Sequence, residues 1–229
     1  MKKLLTLAAL AAIVLLVAVF AVRLTGDESQ AAQTIDPSDT AAMAAEGQRV
    51  REEIQNDPVA PNIAPAGYDV TVVMFSDYQC PYCRKVHPEV EKLMASDRKV
   101  KLVYRDWPIF GAPSTEAARA AIASKWQGKH AVFHDALMKM PGKVSSETIR
   151  AAADKAGVDW AQLQSDLVAH EEEIDGVLSR SSRQAAMMGL QGTPGFLVGP
   201  YLIPGGIDLA GLKDAVAVAR TAPNGEPAT

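Results

Sequence analysis

A chain of 229 residues with 48% hydrophobic content and a formal net charge of −4 suits one sizeable globular domain plus an appendage. Its basic residues form no cluster, which argues against a nucleic-acid partner. Only two cysteines are present, so they have no second pair with which to complete a four-ligand structural zinc site.

Taken in order, Leu4 to Val22 form a nearly unbroken apolar run, preceded by Lys2 and Lys3 and followed by Arg23. At ~1.5 Å per residue that run is long enough to cross a bilayer. Val19-Phe20-Ala21 is a passable cleavage site, so an uncleaved anchor (residues 1–24) is the reading favoured over export with signal cleavage. No cysteine follows the run, which excludes a lipoprotein-type anchor on this sequence. The positive-inside bias keeps Lys2 and Lys3 in the cytoplasm and sends the rest to the periplasmic, extracytoplasmic side, where disulfides persist. Residues 25–36 are small and polar, a spacer off the membrane. From Asp36-Pro37 to Asn56 the pattern is helical with a thin apolar face; it reads as a stalk or a helix lying on the domain, with an oligomerisation arm as the alternative, and it lacks a strong heptad pattern. The proline-rich stretch from Asp57 to Pro65 is extended and completes an arm of residues 25–66, so the main domain starts near Gly67.

Val70 to Phe75 is an apolar run without alternation, as expected of a central strand, and it delivers Cys80-Pro81-Tyr82-Cys83 to the start of a helix. Pro81 suits the first helical position, where its fixed φ helps and its missing N–H costs nothing. That places Cys80 at the cap, exposed at the mouth of the helix, and Cys83 one turn on. Free N–H groups and the positive end of the helix dipole lower the Cys80 pKa, and a thiolate with a second thiol beside it performs thiol–disulfide exchange. Two duller readings stand beside this one: half a zinc site, and a structural disulfide closing so short a loop that it constrains little.

The helix runs to about Ser96, kinked at Pro88. Val100 to Tyr104 is the next strand, parallel to the first through a right-handed crossover. Helices dominate from about residue 113 to 189: an alanine-rich Ser114–Gln127, a helix capped near Ser145, Trp160, Leu163 and Leu167 at helical spacing, and Glu171 to Met188. Gly195-Phe-Leu-Val and Tyr201-Leu-Ile then form a hairpin through Gly199-Pro200, and Asp208 caps a last helix to Ala219. A frayed tail follows from Thr221.

Phe75-Ser-Asp-Tyr-Gln-Cys-Pro-Tyr-Cys83, a helical insertion, and Gln191-Gly-Thr-Pro-Gly-Phe196 ahead of a hairpin and a final helix resemble the DsbA-like branch of the thioredoxin superfamily. The resemblance covers about Val70 to Arg220. It implies an α/β thioredoxin fold with a helical insertion over 67–220, and no cofactor. It implies Cys80 as attacking thiol, Cys83 as buried resolving thiol, and Pro194, after Thr193, as a cis-proline facing them. The Thr193 backbone would pair with an extended substrate strand, a cysteine-containing exported protein. An unidentified redox partner would recycle the pair. Relatives often carry a buried acid six positions before the first cysteine; here Met74 stands there, leaving water or Asp77 as substitutes, although Asp77 reads as a cap or a solvent-facing residue. Thr before the cis-proline is commoner among reducing or isomerising members, which leaves the direction open.

His87, one turn after Cys83, reads as a surface residue beside the Pro88 kink. His130 and His134, at i and i+4, offer two metal ligands without a third, and the apolar neighbours Phe133, Leu137 and Met138 make His134 a packing residue. The expectation is no metal. A rival from another class is a copper-binding carrier, with Cys80 and Cys83 holding Cu(I) by soft thiolate ligation.

Overall fold

A computed structural model describes residues 37–222. The expected anchor at residues 1–24 and the expected spacer to residue 36 lie outside the described residues, as does the expected tail beyond residue 222, Thr221 belonging to the last helix. Among those described, no helix is long and apolar enough to cross a membrane. The chain divides into two units, residues 1–45 and 46–229, and the second holds the sheet and both cysteines.

Strand β2 (Val70–Ser76) and strand β3 (Val100–Asp106) pair in parallel, Val70 opposite Val100 and Ser76 opposite Asp106, with helix α2 (Pro81–Ser96) as the crossover between them. Every residue of both strands is buried, as befits central strands covered on both faces, Lys101, Arg105 and Asp106 of β3 included. Strand β4 (Gly195–Val198) runs antiparallel to β2, and β5 (Tyr201–Pro204) antiparallel to β4. With β1 (Asn62–Ile63) antiparallel to β3, the sheet order is β1-β3-β2-β4-β5. Helix α2 and the last helix, α8 (Leu209–Thr221), pack on one face against Val72, Met74, Leu102 and Tyr104. Ile54, near the end of α1 (Pro37–Gln55), packs with Ala185 and Leu190 on the other face against Val73, Phe75 and Val103.

The insertion comprises α3 (Ala112–Ala123), a 3₁₀ turn (Ser124–Gln127), α4 (His130–Met138), α5 (Ser146–Ala156), α6 (Trp160–Ala169) and α7 (Glu171–Met187). Its helices start where their caps dictate. Ser145 and Thr148 exchange side-chain to backbone hydrogen bonds at the start of α5, and Asp159 accepts the Gln162 N–H at the start of α6. Its core, Phe133, Leu137, Ile149, Leu163 and Ile174 among others, joins that of Tyr78, Cys80 and Cys83, so the insertion forms the wall behind the cysteines.

Two boundaries differ from the sequence reading. The fold does not begin at Gly67: Ile54 is fully buried, Ala60 nearly so, and β1 extends the sheet. Strand β3 also continues two residues past Tyr104, through Arg105 and Asp106, which are buried although charged. Ionisable side chains enter a core when they are paired, as Arg105 is, or when burial favours their neutral form, as at Asp106, and neither condition is visible in a linear pattern. Arg105 donates from Nη1 to Asp57 Oδ2 at 2.8 Å and from Nη2 to the Ile54 carbonyl at 2.7 Å, and Arg180 on α7 donates from Nε to the same Asp57 oxygen at 2.9 Å. Asp57 thus clamps the residues ahead of Gly67 to the sheet and to the insertion.

Burial pushes the Asp57 carboxyl up, but Arg105, the Val59 N–H and Arg180 outweigh it and bring the pKa down to about 2. A carboxyl whose folded pKa lies below its unfolded value of ~3.9 contributes stability that is complete above that value and is lost as pH falls through the folded one. Asp57→Asn is expected to cost about 3–5 kcal/mol at neutral pH by stranding Arg105, and to flatten the loss of stability between about pH 4 and 2; urea unfolding at a series of pH values measures both.

Candidate active site

Helix α2 begins as its sequence dictates. Cys80 is the N-cap, in extended conformation (φ −69°, ψ 118°), Pro81 enters the first turn, and the Cys83 N–H donates to Cys80 Sγ at 3.4 Å. The approach is braced from outside the helix: Arg84 donates to the carbonyls of Tyr78, Met140 and Gly142, tying the first turn to the insertion. Across from the helix, Thr193-Pro194 is a cis peptide leading into β4, and the Pro194 carbonyl accepts the Gly205 N–H at 2.9 Å. The Cys80 thiol lies 3.2 Å from the Thr193 carbonyl and donates to it. Cys80, Cys83, Thr193 and Pro194, four residues singled out from two distant stretches of sequence, therefore meet at one point. Pro81 and Tyr82 face outward beside them, Tyr82 being 66% exposed.

One expectation is corrected here. Cys80 is not exposed at the helix mouth: only 1% of it is accessible, because the loop carrying Thr193 lies over the sulfur, and Cys83 is fully enclosed. The sulfurs are nonetheless electronically distinct. The hydrogen bond from the Cys83 thiol pulls the Cys80 pKa down; burial opposes it, and Thr193 with the N–H groups of Cys83 and Tyr82 adds to it, for a value of about 6. The same proton, held toward Cys80, together with burial, pushes the Cys83 thiol far up. The pair keeps one proton, on Cys83.

Asp77 is likewise not solvent-facing. Its carboxylate accepts from Gln79 N–H (2.7 Å), Ser114 Oγ (2.7 Å), Ile109 N–H (2.7 Å) and Phe110 N–H (3.1 Å), which locks the cysteine loop to the segment after β3. Met74 is completely buried in the apolar layer under α2. His87 is 5% exposed rather than superficial, because the inward face of α2 carries Cys83, Val86, His87, Val90 and Leu93. Its Nε2 lies 2.8 Å from Asp135 Oδ1. Ligand atoms of His87, Glu91 and Asp135 come within 4.8 Å of one another, but the Lys139 ammonium already bridges the two carboxylates at 2.8 and 2.6 Å. His130 and His134 are sealed inside, and burial lowers both pKa values, His130 to about 3. His134 Nδ1 shares a 2.9 Å hydrogen bond with the Tyr78 hydroxyl.

Sequence reasoning missed Asp106, Tyr78 and Tyr104, which line the interior between β3, α2 and α4 with the histidines. The signal that would have found Asp106 was the strand register, which sets it opposite Ser76.

A mixed sheet with a two-cysteine helix start facing a cis-proline, and a helical insertion behind it, defines a thioredoxin-like redox domain. The DSBA-like thioredoxin domain family matches residues 71–217, and the chain belongs to it, a family of thiol–disulfide oxidoreductases. A thioredoxin-like oxidoreductase from Silicibacter pomeroyi DSS-3 is similar at 44% identity, covering 76% of this chain and 99% of that one with a TM-score of 0.72. The thiol-disulfide exchange protein alpha-DsbA2 from Wolbachia pipientis is 25% identical, covering 77% of this chain and 97% of its own with a TM-score of 0.70. The Na(+)/H(+) antiporter NhaA 3 of Salinispora tropica is 29% identical over 169 residues, 70% of this chain; the match spans only 25% of that antiporter's length.

The thiolate absorbance of the reduced protein is expected to titrate near 6, and Cys83→Ala to raise that midpoint toward the ~8.5 of an ordinary thiol. A midpoint indifferent to Cys83→Ala would remove the sulfur–sulfur hydrogen bond as its cause.

Proposed function

We propose that the protein exchanges disulfides with cysteine-containing exported proteins through Cys80 and Cys83, on the extracytoplasmic side, tethered by an anchor within residues 1–24. The observation that carries this is the geometry at the helix start: the Cys83 N–H donates to Cys80 Sγ at 3.4 Å, and the carbonyl of Thr193, ahead of the cis Pro194, lies 3.2 Å from the same sulfur, whose pKa is brought down to about 6.

In the reducing direction, the Cys80 thiolate attacks a substrate disulfide, forming a mixed disulfide and releasing one substrate thiolate. Cys83 then attacks Cys80, the internal disulfide forms, and the second substrate thiolate leaves with its electron pair. The oxidising direction is the reverse. Ionisation also opens the site. A Cys80 thiol is held by the Thr193 carbonyl, whereas a thiolate has no proton to give that oxygen and takes donors such as the Thr193 hydroxyl instead. The freed carbonyl is then available to an N–H of an extended guest strand, next to Pro194. A groove of about 440 Å³ lies beside the first turn of α2, lined by Tyr82, Val86 and Ile207 together with Lys85, Glu89 and Asp208, and offers such a strand apolar and charged contacts.

Stabilising the Cys80 thiolate stabilises the reduced form and makes the disulfide more oxidising. With a pKa between those of thioredoxin and DsbA, the expected reduction potential lies between about −270 and about −120 mV, measurable against glutathione buffers. The function itself is tested with a disulfide-bonded peptide. Turnover is expected in the native protein, none in Cys80→Ala, and a trapped mixed disulfide in Cys83→Ala. A stable Cu(I) complex without turnover of any dithiol or disulfide would instead establish the copper-carrier reading.

A further inference from the structure

We propose that Lys85 selects the guest: it receives the carboxylate of an Asp or Glu two residues from the reacting cysteine, so the preferred substrates are cysteine-containing segments flanked by acidic side chains. This rests on the thiol exchange proposed above and names a substrate class for it.

Position comes first. The Gly205 N–H donates to the Pro194 carbonyl at 2.9 Å, so Gly206, Ile207 and Asp208, which follow it, form a groove wall that leaves directly from the cis-proline. The facing wall is one side of α2. Tyr82, Lys85, Val86 and Glu89 recur there at helical spacing, and Tyr82 stands between the two cysteines. The groove therefore starts beside the sulfurs and runs outward along the helix, with Val86 buried and Ile207 half-buried beneath it.

The charges along this groove are not equivalent. Glu89 Oε1 already accepts from the Lys92 ammonium at 2.9 Å. Asp208 Oδ1 accepts the Gly211 N–H at 2.8 Å and caps α8, whose positive end offsets its charge. Arg84, next to Lys85, is turned away onto the carbonyls of Tyr78, Met140 and Gly142. Lys85 is exposed and, among the described residues, has neither a hydrogen bond nor an ion pair. No acidic residue occupies the first turn of α2 to meet it. The groove thus holds two carboxylates whose charge is answered and one ammonium whose charge is not, and a guest carboxylate completes it.

Spacing fixes where on the guest that carboxylate stands. Lys85 is five residues beyond Cys80, about 7.5 Å along a helix axis. An extended guest covers about 6.6 Å in two residues, and side chains two apart share a face. A guest whose cysteine meets Cys80 beside the Thr193 carbonyl accordingly presents its second neighbour to Lys85. An acidic side chain there is attracted and a basic one repelled. Tyr82 and Val86 add apolar contact that does not tell the two apart.

The test reads formation of the mixed disulfide, trapped by acid, between oxidised protein and reduced single-cysteine peptides. The peptide thiolate attacks Cys80, the Cys80–Cys83 bond breaks, and Cys83 leaves as a thiolate. One peptide carries Glu at both positions two residues from its cysteine and another carries Lys there; a second pair carries the same charges six residues away. Each peptide's own reactivity cancels against the Glu-to-Lys rate ratio measured with Lys85→Gln. The near-charge ratio of the native protein is expected to exceed that reference by about fivefold at low salt, and Lys85→Glu to fall below it by a similar factor. Raising salt from about 0.02 to about 0.5 M should bring the native ratio toward the reference. The distant-charge pair should give one ratio in all three proteins. A near-charge ratio that is the same in all three, or an equal response to the distant charges, overturns the assignment. Should a variant fail to fold, reaction of the same peptides with glutathione disulfide supplies the reference, and a native ratio equal to it overturns the assignment as well. No mixed disulfide with any peptide sinks the thiol-exchange reading itself. Exchange with a ratio indifferent to Lys85 sinks only the role of Lys85.

Discussion

One shared proton, kept on Cys83 and leaning toward Cys80, is the interaction on which the rest of this molecule depends. It exists because a helix starts at Cys80 and returns Cys83 one turn later, with the Cys83 N–H already pointed at the first sulfur. That start in turn depends on the buried strand before it and on Arg84, which fastens the first turn to carbonyls of the insertion. No cation is needed: the Cys83 thiol, joined by Thr193 and the N–H groups of the first turn, makes Cys80 acidic. The loop that supplies Thr193 also hides the sulfur.

Arg105 and Asp106 show how adjacent residues of one strand acquire opposite duties. Alternation sends Arg105 to the face shared with α1, where Asp57 and the Ile54 carbonyl satisfy all but one of its donor nitrogens. Asp106 points to the other face, beside the Tyr78 hydroxyl, where burial outweighs that neighbour and pushes its carboxyl up to about 7. The first is a clamp whose charge is neutralised by geometry. The second is left able to change its protonation. Stability is concentrated in the apolar layers on both faces of the sheet, which leaves the polar interior beside the cysteines free to be chemically poised.

The elements that sequence reasoning recovered are those governed by local rules. Val70–Phe75 and Val100–Tyr104 are short β runs, Ser145 and Asp208 sit where helix caps belong, and Gly199-Pro200 joins two more. What escaped it depends on distant partners. His87 reads as superficial beside a proline, yet it is buried because the helix turns it inward onto Asp135, 48 residues away in sequence. The proline-rich stretch before Gly67 reads as the end of an arm ahead of the domain, yet Asp57 is held by arginines on β3 and α7. Cys80 reads as exposed because nothing in its own neighbourhood reveals the Thr193 carbonyl, 113 residues on.

By itself, the sequence determined where the strands and helices begin, which two thiols share a helical turn, and that a Thr-Pro pair opens a later strand, because each follows from contacts within a few residues. Tertiary structure alone decided which sulfur is covered, which carboxyl is stranded and which is paired, and hence where protons sit. Burial and long-range hydrogen bonds set those energies, and they arise only when segments far apart in the chain are packed together.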